Sequence, residues 1–211
     1  MELSDIRDET RVRYGVSDQD NLFTNTHLTT LINAALRRIN AEADWPWMEV
    51  STTVSTTAGS SALTLASDIR RVTMMSYNQV PLRRMTKRAI QDYYGSQGQP
   101  RFYAYDAGHK VLPAADRVYT IDYSYIAGSE ATLSDGTDEP LAPTRAIDMV
   151  ISYVCVMMAR RERDPELEAR FYGEYARTLD KLKDDLSTTI EGMTPRRTRT
   201  EDSLAGYLLV T

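Results

Sequence analysis

The chain has 211 residues, a net charge of −5 and 42% hydrophobic residues, which is ordinary for a soluble globular protein. The negative charge argues against a general nucleic-acid binder that works by neutralising phosphates. No apolar stretch approaches the length of about 18 residues that a transmembrane helix requires. The acidic start, MELSDIRDE, is unlike a signal or transit peptide, and the lone cysteine, Cys155, excludes an intramolecular disulfide framework. We therefore expect a protein that is made in the cytoplasm and does not enter a membrane.

The first part of the chain predicts two helices. Met1–Tyr14 carries a thin apolar stripe, whereas Thr26–Ala43 places apolar residues at the three- and four-residue spacing of a buried face. Thr24 or Asn25 can cap this second helix. The Trp-Pro-Trp motif at 45–47 then ends it, because proline cannot continue a helix. We expect the two tryptophans to fill the joint between the helices and the segment that follows.

Residues 49–126 predict a small antiparallel β module. Its first part reads as a hairpin between Glu49–Thr57 and Ala62–Ala66, then a strand at Ile69–Tyr77, an edge piece at 80–82 and a short helix at 86–94. Residues 97–126 predict a β-meander with strands at 101–105, 111–113 and 118–126. Strict alternation in the last strand puts four large residues on one side, namely Tyr119, Ile121, Tyr123 and Tyr125.

Two more helices are predicted after a polar loop at 128–143. The first begins at Pro143 or Thr144 and is apolar nearly all round, so it must be covered all round. Met149, Tyr153 and Met157 lie off its main apolar stripe, and we expect them against another helix or a neighbouring subunit, of which the subunit interface is the interpretation we favour. The second helix has Asp164 as cap and proline at its first position, the favoured arrangement.

The predicted organisation is an α+β fold. Residues 1–48 and 127–187 form a helical bundle of three to four helices, residues 49–126 form the inserted β module, and residues 188–211 form an extended C-terminal tail. We expect the tail to dock on a partner, or otherwise to fold back on its own subunit. The side chains expected to make the docking contacts are Arg196, Arg197, Arg199, Leu204, Tyr207, Leu208 and Leu209.

Residues that could carry out catalysis or bind a cofactor do not form a recognisable pattern. His27 and His109 lack partners at metal-ligand spacing, and Cys155 lies in an apolar run that disfavours a thiolate. No glycine-rich phosphate loop or nucleophile elbow is present, so we predict no cofactor and no metal. A pair of catalytic carboxylates is not excluded by sequence alone.

Clusters of charged residues leave two alternatives open. Asp135, Asp138 and Glu139 could bind a cation, although a solvated acidic loop is the better interpretation. The basic groups at 70–71 and 83–88 could contact nucleic acid. In an acidic chain, a solvated face or a charged subunit contact is the better interpretation.

Three segments together resemble a known family: 31–48, 98–125 and 133–183. They contain the Trp-Pro corner, a G-x-P-x-x-Y element formed by Gly98, Pro100 and Tyr103, and two helices joined at an Asp-Pro pair. In this order they resemble the tailed-bacteriophage head-to-tail adaptors, also called tail tubular protein A or neck connectors. Ala115 departs from the second proline that many relatives carry after Pro113, which affects only the local turn.

The resemblance implies a structural virion protein at the neck. Such adaptors form a ring, commonly of twelve copies, that binds the portal protein and presents a platform to a tail or nozzle protein. DNA passes through the ring without sequence-specific binding, and the C-terminal extension commonly reaches the portal. Two other classes stay open: a cell-wall-degrading enzyme built on an adaptor scaffold, which would need a carboxylate pair with raised pKa values, and a DNA-binding accessory factor.

Overall fold

A computed structural model describes residues 1–18, 20–93, 95–128 and 132–193, with side chains described as far as Leu186 apart from that of Lys87. The fold is α+β with mainly antiparallel strand pairing, as predicted. The α-helices are α1 (Leu3–Tyr14), α2 (Asn25–Glu42), α3 (Thr144–Glu162) and α4 (Pro165–Met193). Two short 3₁₀ segments lie at Pro46–Met48 and Lys87–Tyr93, the second where an ordinary short helix was expected.

Helix α3 is the central helix, because it contacts each of the other three. Its nearly complete ring of apolar side chains is therefore covered within one subunit, and a neighbouring subunit is not needed to explain it. Met149 is fully buried inside the chain, which removes it from the predicted subunit interface. Tyr153 and Met157 are only partly buried and keep some surface.

Helix α4 is longer than expected. Residues 188–193 were expected to belong to an extended tail, but α4 continues to Met193. Arg161 of α3 contacts His27 at the start of α2, and Lys183 of α4 contacts Glu42 at its end. Helix α2 therefore runs antiparallel to α3 and parallel to α4. Among the described residues, no helix has both the length and the apolar character that crossing a membrane requires.

In the described part of the chain, ten strands form two four-stranded sheets and one two-stranded pair. Their bounds are β1 (Glu49–Ser55), β2 (Ala62–Leu63), β3 (Ile69–Tyr77), β4 (Val80–Pro81), β5 (Arg83–Arg84), β6 (Gln97–Gly98), β7 (Phe102–Tyr105), β8 (His109–Leu112), β9 (Ala114–Ala115) and β10 (Thr120–Ala127). Sheet A has the order β1-β10-β3-β4 and is antiparallel throughout. Sheet B has the order β2-β8-β7-β5, in which β5 and β7 are parallel, and β6 pairs with β9 in parallel.

Two predicted strand pairings are wrong. β1 does not form a hairpin with β2, because β1 pairs with β10 and β2 pairs with β8. The meander is also divided, since β7 and β8 belong to sheet B while β10 is an inner strand of sheet A. β10 buries Ile121, Tyr123 and Tyr125, and an inner position gives these side chains neighbours on both flanks. The turn at Asn78-Gln79, both at positive φ, does join β3 to β4 as predicted.

The joint between helices and sheets is made by the end of α2. Trp45 is fully buried, donates from Nε1 to the Ile39 carbonyl at 2.6 Å, and stacks on Trp47 with a centroid distance of 4.6 Å. Arg70 of β3 donates to backbone carbonyls of residues 40, 41 and 43. Because the last carbonyls of a helix lack intrahelical partners, Arg70 satisfies the C-terminus of α2 and attaches it to sheet A.

Candidate functional site

The two histidines lie in different parts of the fold and do not form a site together. His27 Nε2 accepts a hydrogen bond from Arg161 at 2.7 Å, because a guanidinium can only donate, and the other ring nitrogen, Nδ1, lies 2.9 Å from the Leu22 carbonyl. His109 lies in the β module, where burial lowers its pKa. Burial raises the pKa of the Cys155 thiol to about 12, which is the opposite of what a nucleophilic cysteine needs.

The acidic loop has a structural role in the described part of the chain. Asp138 accepts backbone N–H groups of Ser134 and Asp135 at 2.6 and 2.8 Å, and these bonds lower its pKa. A general acid would need the opposite shift. Loop carbonyls at 136 and 138 in turn accept the first free N–H groups of α1, from Ser4 and Leu3. No group of three or more potential metal ligands occurs among the described residues.

An aromatic patch marks the outer side of α3 and α4. Tyr153 and Met157 lie one turn apart on α3, and the Tyr153 ring is 4.9 Å from that of Tyr175 on α4. Tyr172 packs against Tyr175 on the same helix and is 54% exposed. The Tyr175 hydroxyl is buried without a hydrogen-bond partner in the described structure. We name Tyr153, Met157 and Tyr172 the tyrosine patch; Tyr172 was not singled out from the sequence because it lies off the apolar stripe of α4.

A second candidate surface is the free edge of β1, which pairs only with β10 in the described structure. The Thr56 N–H donates to the Tyr119 carbonyl, so in the antiparallel register every second residue faces β10. The backbone groups of residues 49, 51, 53 and 55 therefore point away from the sheet. The strand reads EVSTTVS, without the lysine, proline or bulge that usually protects an edge. That composition is a sequence signal, but only the strand order reveals that β1 is an edge.

A third candidate surface brings together the basic groups that are separate in the sequence. A groove of about 310 Å³ lies between β3 of sheet A and strands β5, β7 and β8 of sheet B. Its polar and aromatic lining consists of Arg70, Arg71, Arg84, Tyr103, Tyr105 and His109. We name it the arginine groove. The basic residues were identified in the sequence, whereas their convergence depends on how the two sheets meet.

The seven tail residues predicted to dock, from Arg196 to Leu209, lie outside the described residues.

Comparison with curated proteins gives no match. Comparison with protein-family models gives one match: the model described as SU10 adaptor protein matches residues 1–199 of this chain. This match covers well over half of the chain, and it confirms the resemblance carried by the Trp-Pro corner, the G-x-P-x-x-Y element and the two C-terminal helices. The chain therefore belongs to the SU10 adaptor protein family, a family of phage head-to-tail adaptors.

Proposed function

We propose that this chain is a structural head-to-tail adaptor that forms a ring below the portal, extends the DNA channel and provides the platform for the tail. Membership in the adaptor family carries this proposal, since it implies a structural role in the virion among other phage head and tail proteins. By resemblance, the ring has twelve copies, and DNA passes through it without sequence-specific binding. The non-enzymatic role proposed here follows from the same family.

Two described surfaces are suited to assembly. A ring joins two different surfaces of identical subunits, so each subunit must present both members of a complementary pair. The free edge of β1 offers the outward-facing backbone groups of four of its seven residues, and the tyrosine patch offers exposed aromatic area of the kind that is enriched at interfaces. We therefore place the subunit contacts at these surfaces, with Tyr153 and Met157 as the residues to test first.

The assembly proposal is tested by replacing Tyr153 and Met157 together by serine. Neither residue is fully buried, so the variant should keep a folded subunit while ring formation weakens, as measured by light scattering after size exclusion. Val118→Ser is the matched control, because Val118 is 66% exposed on the β module and lies outside both proposed surfaces. Unchanged ring formation by the double variant would contradict this placement of the interface.

The C-terminal tail is proposed to dock on the portal protein. Arg196, Arg197 and Arg199 would pair with carboxylates, while the apolar end, Leu204 and residues 207–209, would fill an apolar groove. A chain lacking residues 203–211 should fold and form its own assemblies but should no longer join portals. A truncated chain that still caps portals with the same affinity would exclude this role.

Electron microscopy of the protein mixed with its portal tests the proposal as a whole. The expected image is a ring of this chain coaxial with the portal on the side that receives the tail. A particle in which the chain lies away from the portal axis, or binds as single copies, would contradict the proposal.

A further inference from the structure

Charge is distributed unevenly along this acidic chain. Residues 49–128, which contain the ten strands described above, have nine basic and six acidic side chains, a net charge of +3. The remaining residues have 16 basic and 24 acidic side chains, a net charge of −8. The overall charge of −5 therefore hides a basic module, and the argument against phosphate binding that rests on net charge does not apply to this part of the molecule.

The positive charge of the module is concentrated around β5. Arg84 points into the arginine groove, while Arg83 lines a second groove with Arg101 on the other side of the strand. No described carboxylate forms an ion pair with Arg84. Arg71 is 58% exposed at its side chain and, among the described residues, forms an ion pair with Asp44 alone, at 2.8 Å. These two guanidinium groups can therefore reach an anion in the groove, although Asp44 competes for Arg71.

The other members of the groove have different roles. Arg70 already donates to the end of α2 and pairs with Asp44. It therefore adds positive electrostatic potential to the groove but does not offer a free hydrogen-bond donor. His109 packs edge-on against Tyr105 at 5.1 Å and has a lowered pKa, so it is a neutral polar group near pH 7. Tyr105 is 65% exposed and presents its ring beside the groove. Arginine donors beside an exposed aromatic ring are the combination by which proteins hold single nucleic-acid strands.

We propose that the arginine groove binds one nucleotide unit of a single nucleic-acid strand. Arg71 and Arg84 hold the phosphate, and Tyr105 stacks on the base. The groove volume of about 310 Å³ is at the lower end of small-ligand sites and matches one unit rather than a duplex. Binding of this kind reads no sequence, because phosphates are common to all nucleotides and every base has a face on which a ring can stack.

The test measures binding of a short fluorescein-labelled oligothymidylate to the full-length protein by anisotropy at several salt concentrations. Arg84→Glu and Tyr105→Ala should each weaken binding about tenfold, on the scale of one lost stacking or phosphate contact. Arg84→Glu should also reduce the magnitude of the salt slope by about 0.7. Arg37→Glu is the matched control, because Arg37 is exposed on α2 and its replacement changes the net charge equally.

Several outcomes would overturn the proposal. Equal loss of binding in the Arg84 and Arg37 variants would show a non-specific charge effect. Equal competition by thymidine monophosphate would show a site for free nucleotides rather than a strand. Equal competition by a polyglutamate peptide would show a site for acidic peptides. Oligomeric state is measured on the same samples, so that weaker binding caused by loss of the ring is distinguished from weaker binding caused by a damaged groove.

Discussion

Replacing Trp45 by alanine should destabilise the fold by about 3–5 kcal/mol, the range for removing a fully buried tryptophan. The upper half of this range is expected, because the buried Ile39 carbonyl also loses the indole N–H that it accepts at 2.6 Å. Both tryptophans were expected to fill this joint, but Trp47 is only partly buried, and its Nε1 donates to Asn40 Oδ1 at a longer 3.3 Å. Trp47→Ala should therefore cost less, about 1–2 kcal/mol.

The measurement is urea unfolding followed by far-UV circular dichroism, since removing either of the two tryptophans alters the fluorescence signal. The double variant should show a coupling of about 0.5–1.5 kcal/mol, as expected for a stacked pair. Trp45→Phe separates the two contributions, because it keeps most of the packing but loses the hydrogen bond. A cost below about 1 kcal/mol for Trp45→Ala would show that this corner is peripheral, and a larger cost for Trp47→Ala would reverse the assignment.

Three further results are expected. Asn33→Ala should cost about 2–4 kcal/mol in urea unfolding, because the Asn33 amide both donates to and accepts from the buried backbone of Leu133. Cys155 should react with a thiol reagent at pH 8 only in denaturant, since burial raises its pKa to about 12. The lowered pKa of Asp138 stabilises the fold above its unfolded pKa of about 3.9, so the stability advantage over Asp138→Asn should disappear as the pH falls through the folded pKa.

The helices and their ends could be predicted because their signals are local. The side-chain periodicity of α2 and α3, the proline that follows α2, and the Asp-Pro start of α4 each depend on residues within a few positions of one another. Asp164 does cap α4, accepting the N–H groups of Glu166 and Leu167. Turns with strong local chemistry, such as Asn78-Gln79, were predictable for the same reason.

The strand partners could not be predicted, because backbone pairing is set by burial over long sequence distances. Nothing in β1 or β2 indicates that they pair with strands some 70 and 47 residues away; the registers Glu49↔Ile126 and Ala62↔Lys110 follow from which faces the core must cover. The candidate surfaces depend on the same step. Arg70, Arg71 and Arg84 were visible as basic residues, but only the meeting of two sheets places them around one groove.

The sequence by itself determined the helical periodicity, the α+β class and the family, because each depends on patterns within short segments and on the order of those segments along the chain. The tertiary structure alone decided which apolar side chains are available to partners. Met149, Tyr153 and Met157 share a helix and similar chemistry, yet α3 is covered by three other helices, so Met149 is buried while Tyr153 and Met157 keep surface. Exposure depends on what packs against a residue, and the packing partners of α3 come from both ends of the chain.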